Sequence, residues 1–150
     1  MRSIHDRKIE TVEFHWPFTM TIFKDINNSG NYNQGVATAE LDIHPDLWFF
    51  DCHFENDPVM PGSLGMDGLS QLLGFYLSWC GFKGKGRAFG VGEIKFKGEV
   101  LPDSKKIIYR VDIKRVRNGR IVLAVADGSI SVNGDLICLC KDLRVGVFKK

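Results

Sequence analysis

With 150 residues and a mass of 16.9 kDa, the chain has room for one domain spanning 1–150. Hydrophobic residues at 44% and charged residues at 25% exclude an intrinsically disordered composition. Twenty Lys and Arg against 18 Asp and Glu leave a net charge of +2, which excludes bulk electrostatic binding to nucleic acid and leaves room only for a local basic face.

The opening residues, Met1 to Lys8, lack the apolar core of a signal peptide. No apolar run approaches the roughly 18 residues that a membrane span requires. The expectation is a cytoplasmic protein with reduced thiols that binds neither membrane nor nucleic acid. Patterning is weak over the first 34 residues, where Asn27-Asn28-Ser29-Gly30-Asn31 reads as a turn or loop. From Val36 the pattern clears: Ala37, Ala39, Leu41 and Ile43 alternate with Thr38, Glu40 and Asp42, a period of two that predicts a half-buried strand.

Residues 61–80 predict a helix. Pro61 suits its first position, and Gly81 and Gly84 suit a stop. Leu64, Met66, Leu69, Leu72, Leu73, Phe75, Tyr76, Leu77 and Trp79 lie nearly all round it, so it must be surrounded by protein. One narrow polar stripe remains, formed by Ser63, Asp67, Gln71 and Gly74 at three- or four-residue steps.

Everything beyond the helix reads as strand. Ile94 and Phe96 alternate with Lys95 and Lys97, and Ile107, Tyr109, Val111 and Ile113 alternate with their neighbours. Asn118-Gly119 and Asn133-Gly134 are type I′ hairpin signals. Between them the apolar parity switches from Ile121, Leu123 and Val125 to Ile130 and Val132, which predicts a bulge near Asp127-Gly128. A long buried helix followed by an antiparallel meander, with at least one strand before it, is an α+β architecture.

Four cysteines, Cys52, Cys80, Cys138 and Cys140, form no Cys-x-x-Cys pair, and His5, His15, His44 and His53 are scattered. No structural metal site is expected. Cys138 and Cys140 share a strand face and are expected to pack as small hydrophobes.

The unusual stretch is Asp51-Cys52-His53-Phe54-Glu55-Asn56-Asp57-Pro58-Val59-Met60-Pro61-Gly62, read as a loop that runs straight into the helix. A helix start offers unpaired N–H groups and a positive dipole end. Gly62 would let a substrate oxygen approach one of those N–H groups closely, the geometry of an oxyanion site; an ordinary helix start is the competing reading. Asp67, a carboxylate in an otherwise greasy helix, must be exposed, paired or functional. Gln71, one turn on, can hold it by a hydrogen bond, and His53 supplies a candidate base of the residue type suited to proton transfer. An acid, a base and an N–H donor suit proton removal beside a carbonyl; a surface Asp and a loop His are the bland alternative. Gly84-Lys85-Gly86-Arg87-Ala88-Phe89-Gly90 has the wrong spacing for a phosphate loop, and Ser63 lies outside a G-x-S-x-G elbow.

Leu41-Asp42-Ile43-His44-Pro45-Asp46-Leu47-Trp48-Phe49-Phe50, Cys52-His53-Phe54 and Asp57-Pro58-Val59-Met60-Pro61-Gly62 closely resemble the β-hydroxydecanoyl-acyl-carrier-protein dehydratase/isomerase family. So do Gly65, Asp67, Gln71-Leu72, Gly84-Lys85-Gly86-Arg87-Ala88, Gly90-Val91-Gly92-Glu93, Ala126-Asp127-Gly128 and the tail from Asp142 to Phe148. The resemblance implies a hot-dog fold, an antiparallel sheet wrapped around one long central helix, in a homodimer whose active sites lie between subunits. It implies that His53 of one subunit and Asp67 of the other form the catalytic pair and that the Gly62 N–H binds the thioester carbonyl. Val59, Gln71, Phe89 and Gly90 would contact substrate. The implied reaction converts a 3-hydroxyacyl thioester into a trans-2-enoyl thioester in fatty acid biosynthesis, with isomerisation to the cis-3 isomer in the bifunctional branch. No metal or organic cofactor is implied beyond the phosphopantetheine arm that carries the substrate. The implied partner is an acidic acyl carrier protein, which would meet a basic patch of Arg115, Arg120 and Arg144. Residues 1–33 match poorly; Asp51 stands for a usual Gly, Ser63 for Cys, Ser70 for Trp, Phe89 for Leu and Gly119 for a basic residue. A hot-dog thioesterase and a non-catalytic carrier-binding subunit are the alternative readings.

Overall fold

The chain runs β1 (Thr11–Phe14), β2 (Met20–Asp25), β3 (Val36–Asp42), α1 (Trp48–Cys52), α2 (Gly62–Trp79), β4 (Gly84–Gly90), β5 (Glu93–Phe96), β6 (Lys106–Asn118), β7 (Ile121–Val132) and β8 (Asp135–Lys149). The computed structural model describes the backbone of residues 11–14 and 20–25 and all atoms of residues 30–149. The opening Met1–Lys8 segment, His5, His15 and residues 27–29 of the predicted loop lie outside the described residues.

All strand pairings are antiparallel, in the order β1-β2-β3-β6-β7-β8-β4, with β5 also paired to β8. Helix α2 packs on β3, β4, β6, β7 and β8. A curled antiparallel sheet holding one longer helix is compatible with the expected hot-dog fold. Strands β1 and β2 fall in the first 34 residues, where sequence patterning indicates no strand.

Helix α2 starts one residue later than expected, with Pro61 as its N-cap at φ −56° and ψ 129°. It stops where Gly81 turns to φ +101°. The Gly81 N–H donates to Ser78 O at 3.0 Å and the Phe82 N–H to Leu77 O at 3.2 Å, a glycine stop that satisfies the last carbonyls. Leu69, Leu72, Leu73 and Leu77 are fully buried, each contributing roughly 1.5–3 kcal/mol of hydrophobic stabilisation. The opposite face, with Met66, Asp67, Ser70, Gln71 and Gly74, is only half-buried within the chain. Opposite the helix, Ala37, Ala39, Leu41, Ile107, Tyr109, Val111 and Ile113 are buried as their alternation predicts.

Three local expectations are corrected. Asn133 (φ 51°) and Gly134 (φ 88°) have the left-handed backbone of the expected tight hairpin, but neither Asn118 nor Gly119 has a positive φ. There Asn118 pairs with Val122, which leaves residues 119–121 as a three-residue tip. The expected bulge near Asp127-Gly128 is present, between Ala126 and Gly128, but the parity switch lies in β8 rather than β7. Strand β7 keeps Val122, Ala124, Ala126, Gly128, Ile130 and Val132 buried throughout, so Ile121 and Leu123 take the outer face. The inward residues of β8 change instead from Cys138 and Cys140 to Leu143, Val145 and Val147. Ala126 faces Leu143 and Gly128 faces Cys140, so the extra residue opposite Asp127 comes from Lys141-Asp142, with Asp142 at φ 54°. Finally, residues 48–52 of the stretch before α2 form the short helix α1, so Asp51 and Cys52 are helical.

Candidate active site

Two buried aromatic residues, Phe49 and Phe50, anchor α1, and His53 caps it by donating its N–H to Phe49 O at 3.0 Å. The following loop folds on itself: Phe54 and Asp57 exchange backbone hydrogen bonds at 2.8 and 3.0 Å, and the His53–Phe54 peptide is cis. The Val59 N–H then donates to His53 O at 2.8 Å, and the Met60 N–H ties the loop to Val100 O at 3.0 Å. This fold-back also sets the Val59 carbonyl oxygen 2.9 Å from His53 Nδ1. A carbonyl only accepts, so Nδ1 carries the proton and Nε2 is left as the free acceptor. The imidazole also lies against the Phe54 ring, with centroids 3.7 Å apart.

His53, Val59 and Gly62 line one cavity of about 420 Å³, with Phe96, Ile107 and Tyr109 among its apolar walls. Gly62 is the first residue of α2, so its N–H lies in the first turn, where helix N–H groups have no partner within the helix. A Cβ at position 62 would lie 2.8 Å from a Phe96 ring carbon. Glycine is therefore what allows the aromatic ring to close over the helix start.

Asp67 and Gln71 line a separate cavity of about 250 Å³ between α2 and β4, with Ser70, Gly74, Gly86 and Ala88. The anticipated bond is present: Gln71 Nε2 donates to Asp67 Oδ2 at 3.0 Å. Within one chain, then, the imidazole and the Asp67 carboxyl lie on different cavities. Phe89 and Gly90 line neither. Arg115 and Arg144 flank Val125 in register, while Arg120 occupies the tip between β6 and β7. Among the described residues, no cluster of His, Cys, Asp and Glu could hold a metal ion. No helix among them is long and apolar enough to cross a membrane.

Tyr109 is a site residue that sequence reasoning did not single out. It forms a wall of the His53 cavity and lies so close to α2 that a Cβ on Gly68 would fall 2.8 Å from its ring. Burial first, and then the charge of Asp67, hold its hydroxyl well above the ordinary phenol range. The available signal was Gly68, a glycine in a helix interior, which marks a close approach. Cys138 also lines this cavity, and burial pushes its thiol up.

A second polar group sits on the outer face where the β6 bulge at Lys114 meets the β8 bulge at Lys141-Asp142. Lys114, the extra residue of β6, contacts Asp142 at 2.8 Å and Asp127 at 3.4 Å. The Tyr32 hydroxyl donates to Asp127, and the Lys114 ammonium lies 5.2 Å from the centre of the Tyr32 ring.

A family model described as a FabA-like domain matches residues 19–141. Among solved structures, AziG from S. sahachiroi is similar at a TM-score of 0.56 and 11% identity, covering 77% of this chain and 85% of that one. The dehydratase heterocomplex ApeI:P from Xenorhabdus doucetiae is similar at a TM-score of 0.54 and 11% identity, covering 77% and 75%. A candidate thioesterase from Shewanella oneidensis reaches a TM-score of 0.53 at 8% identity, covering 84% and 82%. At these identities the structural likeness concerns the fold, whereas the sequence model spans most of the chain: this protein belongs to the FabA-like domain family.

Proposed function

We propose that the protein is a dehydratase that removes water from a 3-hydroxyacyl thioester carried on the phosphopantetheine arm of an acyl carrier protein, in fatty acid biosynthesis. The observation that carries this reading is the Nδ1–H···O=C bond from His53 to Val59 at 2.9 Å, which frees Nε2 as a base in an apolar cavity beside the Gly62 N–H. Family membership supports it, as does the likeness to a dehydratase heterocomplex.

In this reading two copies of the chain pair, so that the His53 cavity of one meets the Asp67 cavity of the other. The Gly62 N–H donates a hydrogen bond to the thioester oxygen and stabilises the negative charge that develops there as the α-proton leaves. His53 Nε2 takes that proton, the C3–O bond breaks, and Asp67 gives its proton to the departing hydroxyl. The products are a trans-2-enoyl thioester and water. His53 is left protonated and Asp67 ionised, and proton exchange with solvent resets both. Val59 orients the imidazole and Gln71 orients the carboxyl. Isomerisation would reuse His53, which would remove a proton from C4 and return one to C2. The thioester itself acidifies the α-carbon, so no metal or organic cofactor enters the reaction.

The test is incubation with 3-hydroxydecanoyl thioester, following 2-enoyl and 3-enoyl products together with free thiol. His53→Ala and Asp67→Asn should each lower dehydration at least about a hundredfold, the scale of general acid–base catalysis. Mixing the two inactive variants should restore activity through one intact site per mixed dimer. Thiol release in place of enoyl product would make the protein a thioesterase, and unchanged rates in either variant would remove that residue from the mechanism.

A further inference from the structure

His53 stands in its cavity without a carboxylate behind it. Its Nδ1 is bonded to the Val59 carbonyl at 2.9 Å, and among the described residues it is in no ion pair. When Nε2 takes a proton the imidazole becomes a cation, and a cation beside apolar walls is costly unless something compensates it. A histidine base backed by a carboxylate draws that compensation from the carboxylate. A neutral carbonyl supplies only part of it.

What faces the imidazole instead is the Phe54 ring. The two ring centroids are 3.7 Å apart with 32° between the planes, so the phenyl covers one face of the imidazole. Its backbone holds it there. Phe54 and Asp57 exchange both backbone hydrogen bonds, at 2.8 and 3.0 Å, and Asn56 closes the turn at φ 59°, a left-handed conformation that asparagine tolerates. Phe54 is nevertheless 55% exposed, and it does not line the cavity. A phenylalanine placed for core packing would be hidden, and one placed against the acyl chain would form cavity wall. Phe54 does neither, and the contact that accounts for its position is the one with His53.

We infer that Phe54 is a positioning residue for His53: its ring fixes the plane of the imidazole and stabilises the imidazolium that forms as the α-proton leaves the substrate. The inference rests on His53 being the base, as proposed above, and not on the fate of the 3-hydroxyl. The face of an aromatic ring carries the negative part of its quadrupole, so its attraction for the imidazole grows as the imidazole gains charge. An interaction that is stronger in the transition state than in the ground state raises kcat and leaves substrate affinity alone. The stacked ring also restricts rotation about the imidazole's Cβ–Cγ bond, which the single anchor at Nδ1 controls less firmly.

Two reactions of the intact protein read this. One is dehydration of 3-hydroxydecanoyl thioester. The other is exchange of the C2 protons of decanoyl thioester in D2O, which has no 3-hydroxyl and needs the base alone. Phe54→Leu keeps apolar bulk but removes the π-face. It should lower both rates about fivefold with KM held within about twofold, the scale of an aromatic–cation contact at a half-exposed site. Phe54→Trp should restore them. Phenylalanines with one, two and three ring fluorines, introduced at position 54 by nonsense suppression, weaken the quadrupole at nearly constant shape, and the logarithm of each rate should fall in equal steps. The exposure of Phe54 lets all these replacements fold. Wild-type rates in Phe54→Leu, or no trend along the fluorine series, would overturn the inference. So would a raised KM at constant kcat, which would make Phe54 a substrate contact. C2 exchange that follows the fluorine series without any enoyl product would sink the dehydratase reading alone, and absence of both reactions in the wild type would overturn both.

Discussion

Gln71 donates from Nε2 to Asp67 Oδ2 at 3.0 Å across one turn of α2, and both side chains are half-buried on the face that lines the cavity beside β4. The amide can satisfy one carboxyl oxygen and leave the other to present a proton. Gln71→Leu removes the donor while keeping the bulk, and should lower kcat about tenfold with little change in KM. Because the residue is half-exposed, the melting temperature should hold within a degree or two. A rise in KM at constant kcat would instead make Gln71 a substrate contact.

The two helix glycines on either side of this pair should respond in opposite directions. A Cβ at Gly68 would press to 2.8 Å on the buried Tyr109 ring, whereas at Gly74 it would meet only Val145 at 3.7 Å, an ordinary contact. Alanine gains about 1 kcal/mol over glycine in a helix interior, and overpacking a core costs roughly 1–3 kcal/mol. Gly68→Ala should therefore lower stability by about 1 kcal/mol, and Gly74→Ala should raise it by up to about 1 kcal/mol. Urea unfolding of both variants tests the pair; stabilisation by both would show that the Tyr109 ring yields freely.

The regular parts of the molecule follow from periodicity. Alternation marks β3 and β6, and the apolar run with Gly81 behind it marks α2, because each buries one repeating set of side chains. Helix α1 escapes because five residues hold no period, and it is visible only through what it buries, Phe49 and Phe50. The bulge falls opposite Asp127 as expected, but its extra residue belongs to β8, and the misreading of β7 parity has a cause. Ile121 and Leu123 are apolar on the outer face, where they pair with Phe148 and Gly146 of β8, and so they mimic an inward parity that the strand does not have. At the site, the i, i+4 spacing of Asp67 and Gln71 makes their bond legible. The approach of Tyr109 to Gly68 is not, because it joins residues 41 positions apart through tertiary packing.

Lys114 should govern how Asp142 titrates. Its hydrogen bond and charge hold the Asp142 carboxyl below the ordinary range, while Asp127 stands on the other side of the ammonium at 3.4 Å. Lys114→Met leaves the two carboxylates without the shared cation, so the Asp142 midpoint should move up. A carbon-13 NMR titration of the side-chain carboxyls follows this directly, and an unmoved Asp142 would mean that Arg115 and Arg144 suffice to hold it.

Acid sensitivity should arise in part from Asp112. Burial pushes its carboxyl up, but two hydrogen bonds from Arg110 at 2.9 Å and one from the Asn31 N–H at 3.0 Å outweigh burial and hold it below the ordinary range. A folded-state pKa below the unfolded value of about 3.9 means that the native state binds fewer protons there. The stabilisation is present in full above that unfolded value and is lost as pH falls through the folded one. Asp112→Asn should cost about 1–2 kcal/mol at pH 7, less than a fully enclosed pair would, because Arg110 keeps 43% of its side chain exposed. The gap between wild type and variant in urea should then narrow as pH falls below about 4 and keep closing as it passes through the lowered folded-state value. A gap of constant size across that range would show that Asp112 stabilises the loop at Asn31 by shape and hydrogen bonding alone, with no contribution from its charge.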